Sequence, residues 1–214
     1  MSVPVQRRTY KSADERKAQI LDCALDAFSE AGYHATSIAD VCARAGIGRA
    51  TLYQYFEDKR DLLVALAEGL ADRIVTVMKQ RDPLRLPAGF RPTREQAVAF
   101  TYERIATVLR AAFGDPRAVR LLLRAGRGTD GMVDAILRRI DDSVLRAMEM
   151  DLSAARDAGV IRAIDPRFVA RFLLGGYEKV LLMHVDEERP IDFDAIAREA
   201  ALLEMCGLFQ QEHS

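Results

Sequence analysis

The chain has 214 residues, half of them apolar and 29% charged, with a formal net charge of −1. This excludes a disordered segment and a polycation that coats nucleic acid indiscriminately, so any nucleic-acid contact must be local. Cys23, Cys42 and Cys206 are odd in number and lie at neither C-x-x-C nor Cys/His spacing, which predicts inert thiols in a reducing, cytoplasmic setting and no metal or other cofactor.

Apolar residues recur at three- and four-residue steps and no window alternates with period two, so the expected fold is all-α. The first helix runs from Ala13 to Ala31, with Ser12 and Glu15 as a capping box, Ile20, Ala24, Leu25 and Phe28 in its apolar stripe and Gly32 ending it. A second is expected after Thr36, whose hydroxyl is a candidate cap, and continues to Ala45, where Gly46-Ile47-Gly48 breaks it. A third is expected over Arg49 to Phe56. Asp58 caps a long fourth helix through Leu62, Leu63, Leu66, Leu70, Ile74 and Met78, long enough to link two bodies.

The segment from Asp82 to Pro92 carries Pro83, Pro87, Gly89 and Pro92 and reads as a loop. Five further helices are expected at about 93–112, 116–125, 130–158, 166–185 and 192–210, giving nine. No apolar leader follows Met1, and no apolar run approaches the roughly 20 residues of a membrane span, so no membrane partner is expected.

The segment Thr36 to Lys59 carries the most information. Two short amphipathic helices joined at Gly46 fit a helix-turn-helix, with Ile38, Val41, Ile47, Leu52 and Phe56 packed inward. Its third helix would then present Arg49, Ala50, Thr51, Tyr53, Gln54 and Tyr55 to a major groove. Small residues let the backbone approach, the Arg49 fork suits guanine or phosphate, and the hydroxyls suit phosphate. Thr36 and Ser37 at a helix N-terminus are a phosphate anchor, and Lys59 adds a charge on the same side. Residues 1–60 hold nine Lys and Arg against eight Asp and Glu, so affinity rests on how charge is arranged, with Arg7, Arg8 and Lys11 as a basic arm.

From Ala13 to Leu66 the chain resembles the tetracycline-repressor (TetR) family of one-component regulators. The resemblance rests on Gly32-Tyr33, Thr36-Ser37-Ile38, Ala45-Gly46-Ile47, Thr51-Leu52-Tyr53-x-Tyr55-Phe56, and Lys59 with Leu62-Leu63. Gly48 departs from the polar residue common at that position. The resemblance implies a two-domain regulator of nine helices: a helix-turn-helix DNA-binding domain over 1–60, and a helical ligand-binding and dimerisation domain over 61–214. It further implies double-stranded operator DNA and a small-molecule effector as partners, and a homodimer through the last two helices.

The residues agree with a dimer, because Phe168, Phe172, Leu173, Leu174, Tyr177, Val180, Leu181, Leu182 and Met183 nearly encircle the eighth helix, with Ile196, Ala200, Leu203 and Leu208 following on the ninth. Candidate effector contacts are Met78, Phe100, Tyr102, Phe113, Leu122, Met132, Ile136, Phe172 and Tyr177, an apolar and aromatic set that suits a hydrophobic or aromatic ligand. Arg104, Arg120 or Arg124 could meet an anionic head group. An enzyme with an incidental helix pair, or a ligand-blind architectural DNA-binding protein, are the competing classes. No nucleophile, metal or phosphate-loop motif favours the first.

Overall fold

The computed structural model describes residues 12–87, 90–125, 128, 130–186 and 191–208, with the side chains of 111–113, 119, 124, 125, 185, 186 and 208 left aside. The basic arm of Arg7, Arg8 and Lys11 lies outside the described residues. Nine α-helices and no β-strand are found among them: α1 (Ala13–Ala31), α2 (Ile38–Ala45), α3 (Arg49–Leu52), α4 (Lys59–Gln80), α5 (Arg94–Phe113), α6 (Pro116–Ala125), α7 (Gly131–Asp157), α8 (Pro166–Asp186) and α9 (Phe193–Leu208). Among the described residues no helix is long and apolar enough to cross a membrane.

The helix ends follow from local chemistry. Ser12 and Glu15 close a capping box at α1, Ser37 and Asp40 do so at α2, and Thr93 and Gln96 at α5. The Asp58 carboxylate accepts the Asp61 N–H at 2.7 Å at the start of α4, and Asp130 accepts from Met132 and Val133 at α7. Gly46 ends α2 in the left-handed region, at φ 64°, where a Cβ would cost conformational energy although the space beside it is open.

Two expectations are corrected here. Thr36 does not cap α2; the cap is Ser37, while Thr36 is buried and its hydroxyl donates to Ala27 O at 3.1 Å and Gly32 O at 2.9 Å. The third helix ends at Leu52, not Phe56, because the chain tightens into i→i+3 bonds, Gln54 N to Thr51 O and Tyr55 N to Leu52 O.

The chain divides into two compact units, the first up to Leu66 and the second from Ala67. In the first, Ile20, Ala24, Phe28, Val41, Leu52, Phe56, Leu62 and Leu63 form the buried core. In the second, Ala106, Leu109, Leu181 and Ala197 join α5, α8 and α9, with Tyr102 and Ile196 packed against them. A second cluster of Ala155, Val160 and Ile161 is covered by Leu84, Leu86 and Leu152. Ile196 therefore faces this core and not outward as its stripe suggested.

Candidate functional site

The first unit holds the helix pair. α2 and α3 are joined through Gly46, with Ile47 N bonded to Cys42 O at 3.0 Å. Gly48 precedes α3 without a side-chain cap, and its carbonyl accepts from Thr51 N and Leu52 N. Arg49, Ala50, Tyr53 and Gln54 are exposed, Tyr53 by 52%, whereas Thr51 and Tyr55 are half-buried. Val41, Leu52 and Phe56 lie inside, as the pattern predicts, while Ile38 and Ile47 are only partly covered.

Electrostatics narrow the contact set further. Of the two arginines on α2 and α3, Arg44 is held bidentately by Glu30, which keeps the Glu30 carboxyl below its ordinary pKa. Arg49 forms no ion pair among the described residues. Ser37 is exposed, but its hydroxyl is occupied by Asp40, whose carboxyl pKa that bond lowers.

Thr36 is a correction, and Lys59 has partners within the unit. Thr36 is 3% exposed, so its hydroxyl is out of reach of a phosphate. Lys59 aims its ammonium at the carbonyls of Tyr33, His34 and Thr36 and sits 4.5 Å over the Tyr33 ring. The two 2.9 Å bonds, to Tyr33 O and Thr36 O, fasten the α1–α2 connection to the start of α4.

The second unit encloses a cavity of about 650 Å³, a size typical of sites for drug-sized ligands. Its walls are the end of α4, the following loop, and faces of α5 to α9, with Ile74, Leu84, Phe90, Val108, Leu137, Val144, Leu152 and Leu173 among many apolar side chains. Of the residues chosen from sequence, Met78, Phe100, Leu122 and Tyr177 line it. Four others do not. Tyr102 packs on the α5–α8–α9 core and reaches Asp194, Met132 is half exposed, Ile136 is buried elsewhere, and Phe172 is 71% exposed and stacked on Phe168. The Phe113 side chain lies outside the described set.

One wall of the cavity is charged. Asp151 on α7 takes Arg104 of α5 at 2.6 Å and Arg81, the residue after α4, at 2.7 Å. Its other oxygen accepts the Leu84 N–H of the loop. Arg85 stands nearby, and a shallow depression lined by Asp82, Pro83, Leu84, Arg85, Phe100 and Arg104 adjoins the cavity. Arg81, Arg85 and Arg104 against Asp82 and Asp151 leave this wall electropositive by one charge. Burial lowers the Arg81 pKa from its ordinary value, while Asp151 opposes that shift. Sequence reading had singled out Arg104; Arg120 does not line the cavity, and the Arg124 side chain is outside the described set. Arg81 and Asp151 were missed, because no local spacing links positions 70 residues apart.

A second polar group interrupts the apolar lining. The Tyr177 hydroxyl of α8 donates to the Glu204 carboxylate of α9, and both residues line the cavity. Burial pushes the Glu204 carboxyl up to about 6, the Tyr177 bond partly opposing it.

Residues 20–66 match the family described as bacterial regulatory proteins, tetR family. The chain is 28% identical over 182 residues to the HTH-type transcriptional activator FasR of Mycolicibacterium smegmatis, covering 85% of this chain and 78% of that one. It is 22% identical to the fatty acid metabolism regulator protein of Bacillus subtilis, over 89% and 94% of the two chains. A crystal structure of the regulator FadR from Bacillus subtilis in complex with stearoyl-CoA superposes with a TM-score of 0.66 at 19% identity, over 89% of this chain and 98% of that one. With the helix-turn-helix match over residues 20–66 and transcriptional regulators as relatives along most of its length, the chain is similar to the tetR family of transcriptional regulators.

Proposed function

We propose that this protein is a dimeric one-component regulator that grips a palindromic operator and is released from it by a long-chain acyl effector with an anionic head, such as an acyl-CoA. DNA binding is assigned to residues 1–60, with Arg49, Ala50, Thr51, Tyr53 and Tyr55 at the groove and the Ser37 end of α2 at phosphate. Effector binding and dimerisation are assigned to 61–214. Exposed Phe168, Phe172, Met183, Leu202 and Leu203 on α8 and α9 supply the apolar surface that a second copy would cover.

The observation that carries the effector class is the apolar cavity with Arg81, Arg104 and Arg85 on one wall. A long alkyl chain gains by leaving water for such a lining, and a carboxylate, thioester carbonyl or phosphate gains from the arginines. The names of the relatives, a fatty acid metabolism regulator and a regulator bound to stearoyl-CoA, support the same class.

The arginines also offer a route for the signal. Arg81 directly follows α4, and its bond to Asp151 ties the end of that helix to α7. An anionic head competes with Asp151 for Arg81 and Arg104 and so favours a second position of α4. It weakens operator binding only by its differential affinity for the two states. In the dimer, recognition helices about 34 to 36 Å apart meet successive major grooves. A bound dimer overlapping a promoter blocks polymerase without any further contact, so the protein acts as a repressor and effector binding lifts the block.

The test is displacement from an operator selected out of random duplex DNA, with palmitoyl-CoA, palmitate, CoA and an aromatic carboxylate as probes. Palmitoyl-CoA or palmitate should release the protein at concentrations where CoA and the aromatic do not. Displacement by the aromatic alone would overturn the acyl reading, and failure to bind any duplex at low salt would overturn the regulator reading.

A further inference from the structure

A carboxyl group is a costly lining for a cavity meant to hold a plain hydrocarbon. Ionised, it loses hydration; protonated, it still buries polar atoms in an apolar wall. Glu204 nevertheless lines the same cavity as Leu173, Leu174, Met205 and Ala97. The Tyr177 hydroxyl supplies a single proton to one of its two oxygens, and the hydroxyl oxygen keeps a free lone pair. Among the described residues no lysine or arginine is bonded to the pair, so it is not a structural ion pair.

We propose that Tyr177 and Glu204 form a specificity site within the effector cavity that accepts a hydrogen bond from a neutral donor, a hydroxyl or an amide N–H, carried along an otherwise apolar effector. This rests on the acyl reading above and deepens it. Tyr177 fixes the carboxylate rotamer and Glu204 presents the free acceptor. Asp141 and Glu178 also line the cavity; the charged wall of Arg81, Arg104 and Arg85 takes the anionic head, so that wall and the Tyr177–Glu204 pair together select an effector with one anionic and one donor group. A carboxylate in this wall also repels a second anionic group, which disfavours dicarboxylic chains.

Two ligand chemistries could bring the donor: a hydroxylated acyl chain, or the amide groups of the pantetheine arm of an acyl-CoA. Calorimetric titration of the full-length protein with palmitate, palmitates hydroxylated on the third, tenth or terminal carbon, hexadecanedioate and palmitoyl-CoA separates them. At least one donor-bearing probe should bind about 5- to 150-fold tighter than palmitate, the span expected when a buried polar group gains its missing partner. In Glu204→Leu that advantage should fall to within about two-fold, with palmitate itself bound as well or better. Glu204→Met, closer in shape, serves if the leucine variant fails to fold, and Tyr177→Phe should reduce the preference without reversing it.

Equal binding of palmitate and every donor-bearing probe to the unaltered protein overturns this inference alone. A preference unchanged by the Glu204 replacements does the same. Absence of binding by all the probes overturns the acyl reading with it.

Discussion

Arg81 Nη2 lies 2.7 Å from Asp151 Oδ2, the same oxygen that Arg104 Nη2 approaches to 2.6 Å. One carboxylate therefore restrains two guanidinium groups on the cavity wall. Removing its charge should have two opposite effects. Asp151→Asn should lower stability by about 1 to 3 kcal/mol, since two partly buried cations lose their counter-charge. It should also tighten palmitate binding, because the head group no longer competes with Asp151. Thermal unfolding with and without palmitate checks both: the ligand-induced rise in Tm should be larger in the variant. A smaller rise would mean that Asp151 helps to bind the effector and is not its competitor.

Thr36 and Ser37 are adjacent and chemically alike, yet the structure gives them different work. The Thr36 hydroxyl is inside, bonded to the carbonyls of Ala27 and Gly32, whereas Ser37 caps α2. Thr36→Val keeps the shape and should cost about 1 to 2 kcal/mol of stability through the lost bonds, with operator affinity unchanged at temperatures where the variant is folded. Ser37→Ala should cost about 1 kcal/mol through the cap and also weaken operator binding. Chemical denaturation paired with gel-shift titration separates the two patterns; an operator defect in folded Thr36→Val would restore the phosphate role that its burial argues against.

The sequence made most of the helices and their ends legible because those depend on short-range chemistry: Gly46 supplies a left-handed backbone, and Ser12 and Asp58 supply caps. It could not choose between Thr36 and Ser37, since both carry a hydroxyl and only the packing of α1 against the loop decides which turns inward. The cavity was harder still. A stripe shows which face of a helix points inward, but whether that face meets a neighbour or empty space depends on how far apart the helices stand. Phe172 and Met132 lie on helices with apolar residues on more than one face, and their exposed positions could not be told from lining ones. The Arg81–Asp151–Arg104 group joins positions 81, 104 and 151, which no spacing rule connects.

Arg49 is the test of how α3 reads DNA. It is exposed, carries no ion pair among the described residues, and opens a helix preceded by Gly48 with no side chain in the way. If it forks onto a guanine edge, Arg49→Ala should lose about 1 to 3 kcal/mol on the selected operator and relax discrimination at one position of each half-site. Binding to a scrambled duplex should change far less. A uniform loss across both duplexes, with a salt slope lower by about one, would assign Arg49 to phosphate and leave base reading to Thr51, Tyr53 or Tyr55.

Glu204 gives the protein a stability term of known sign. Its carboxyl titrates at about 6 in the folded chain, above the ordinary glutamate value of 4.5, because burial disfavours the charge. Between those two pH values the folded state holds more protons than the unfolded one, so this group's contribution falls as pH rises through that window and is constant above it. The full difference is about 2 kcal/mol. Acidic groups held below their ordinary pKa, such as Asp40 and Asp115, act in the opposite direction, so the comparison must be between variants and not across pH alone. Glu204→Gln lacks the titration: relative to the unaltered protein it should gain up to about 2 kcal/mol in going from pH 4 to pH 8, measured by denaturant unfolding at each pH. An effector that donates to the ionised carboxylate stabilises the charged form, and should shrink this difference when it is bound. A gap between the two proteins that is the same at both pH values would mean that Glu204 titrates at its ordinary value in the folded chain, and that the cavity around it is wet.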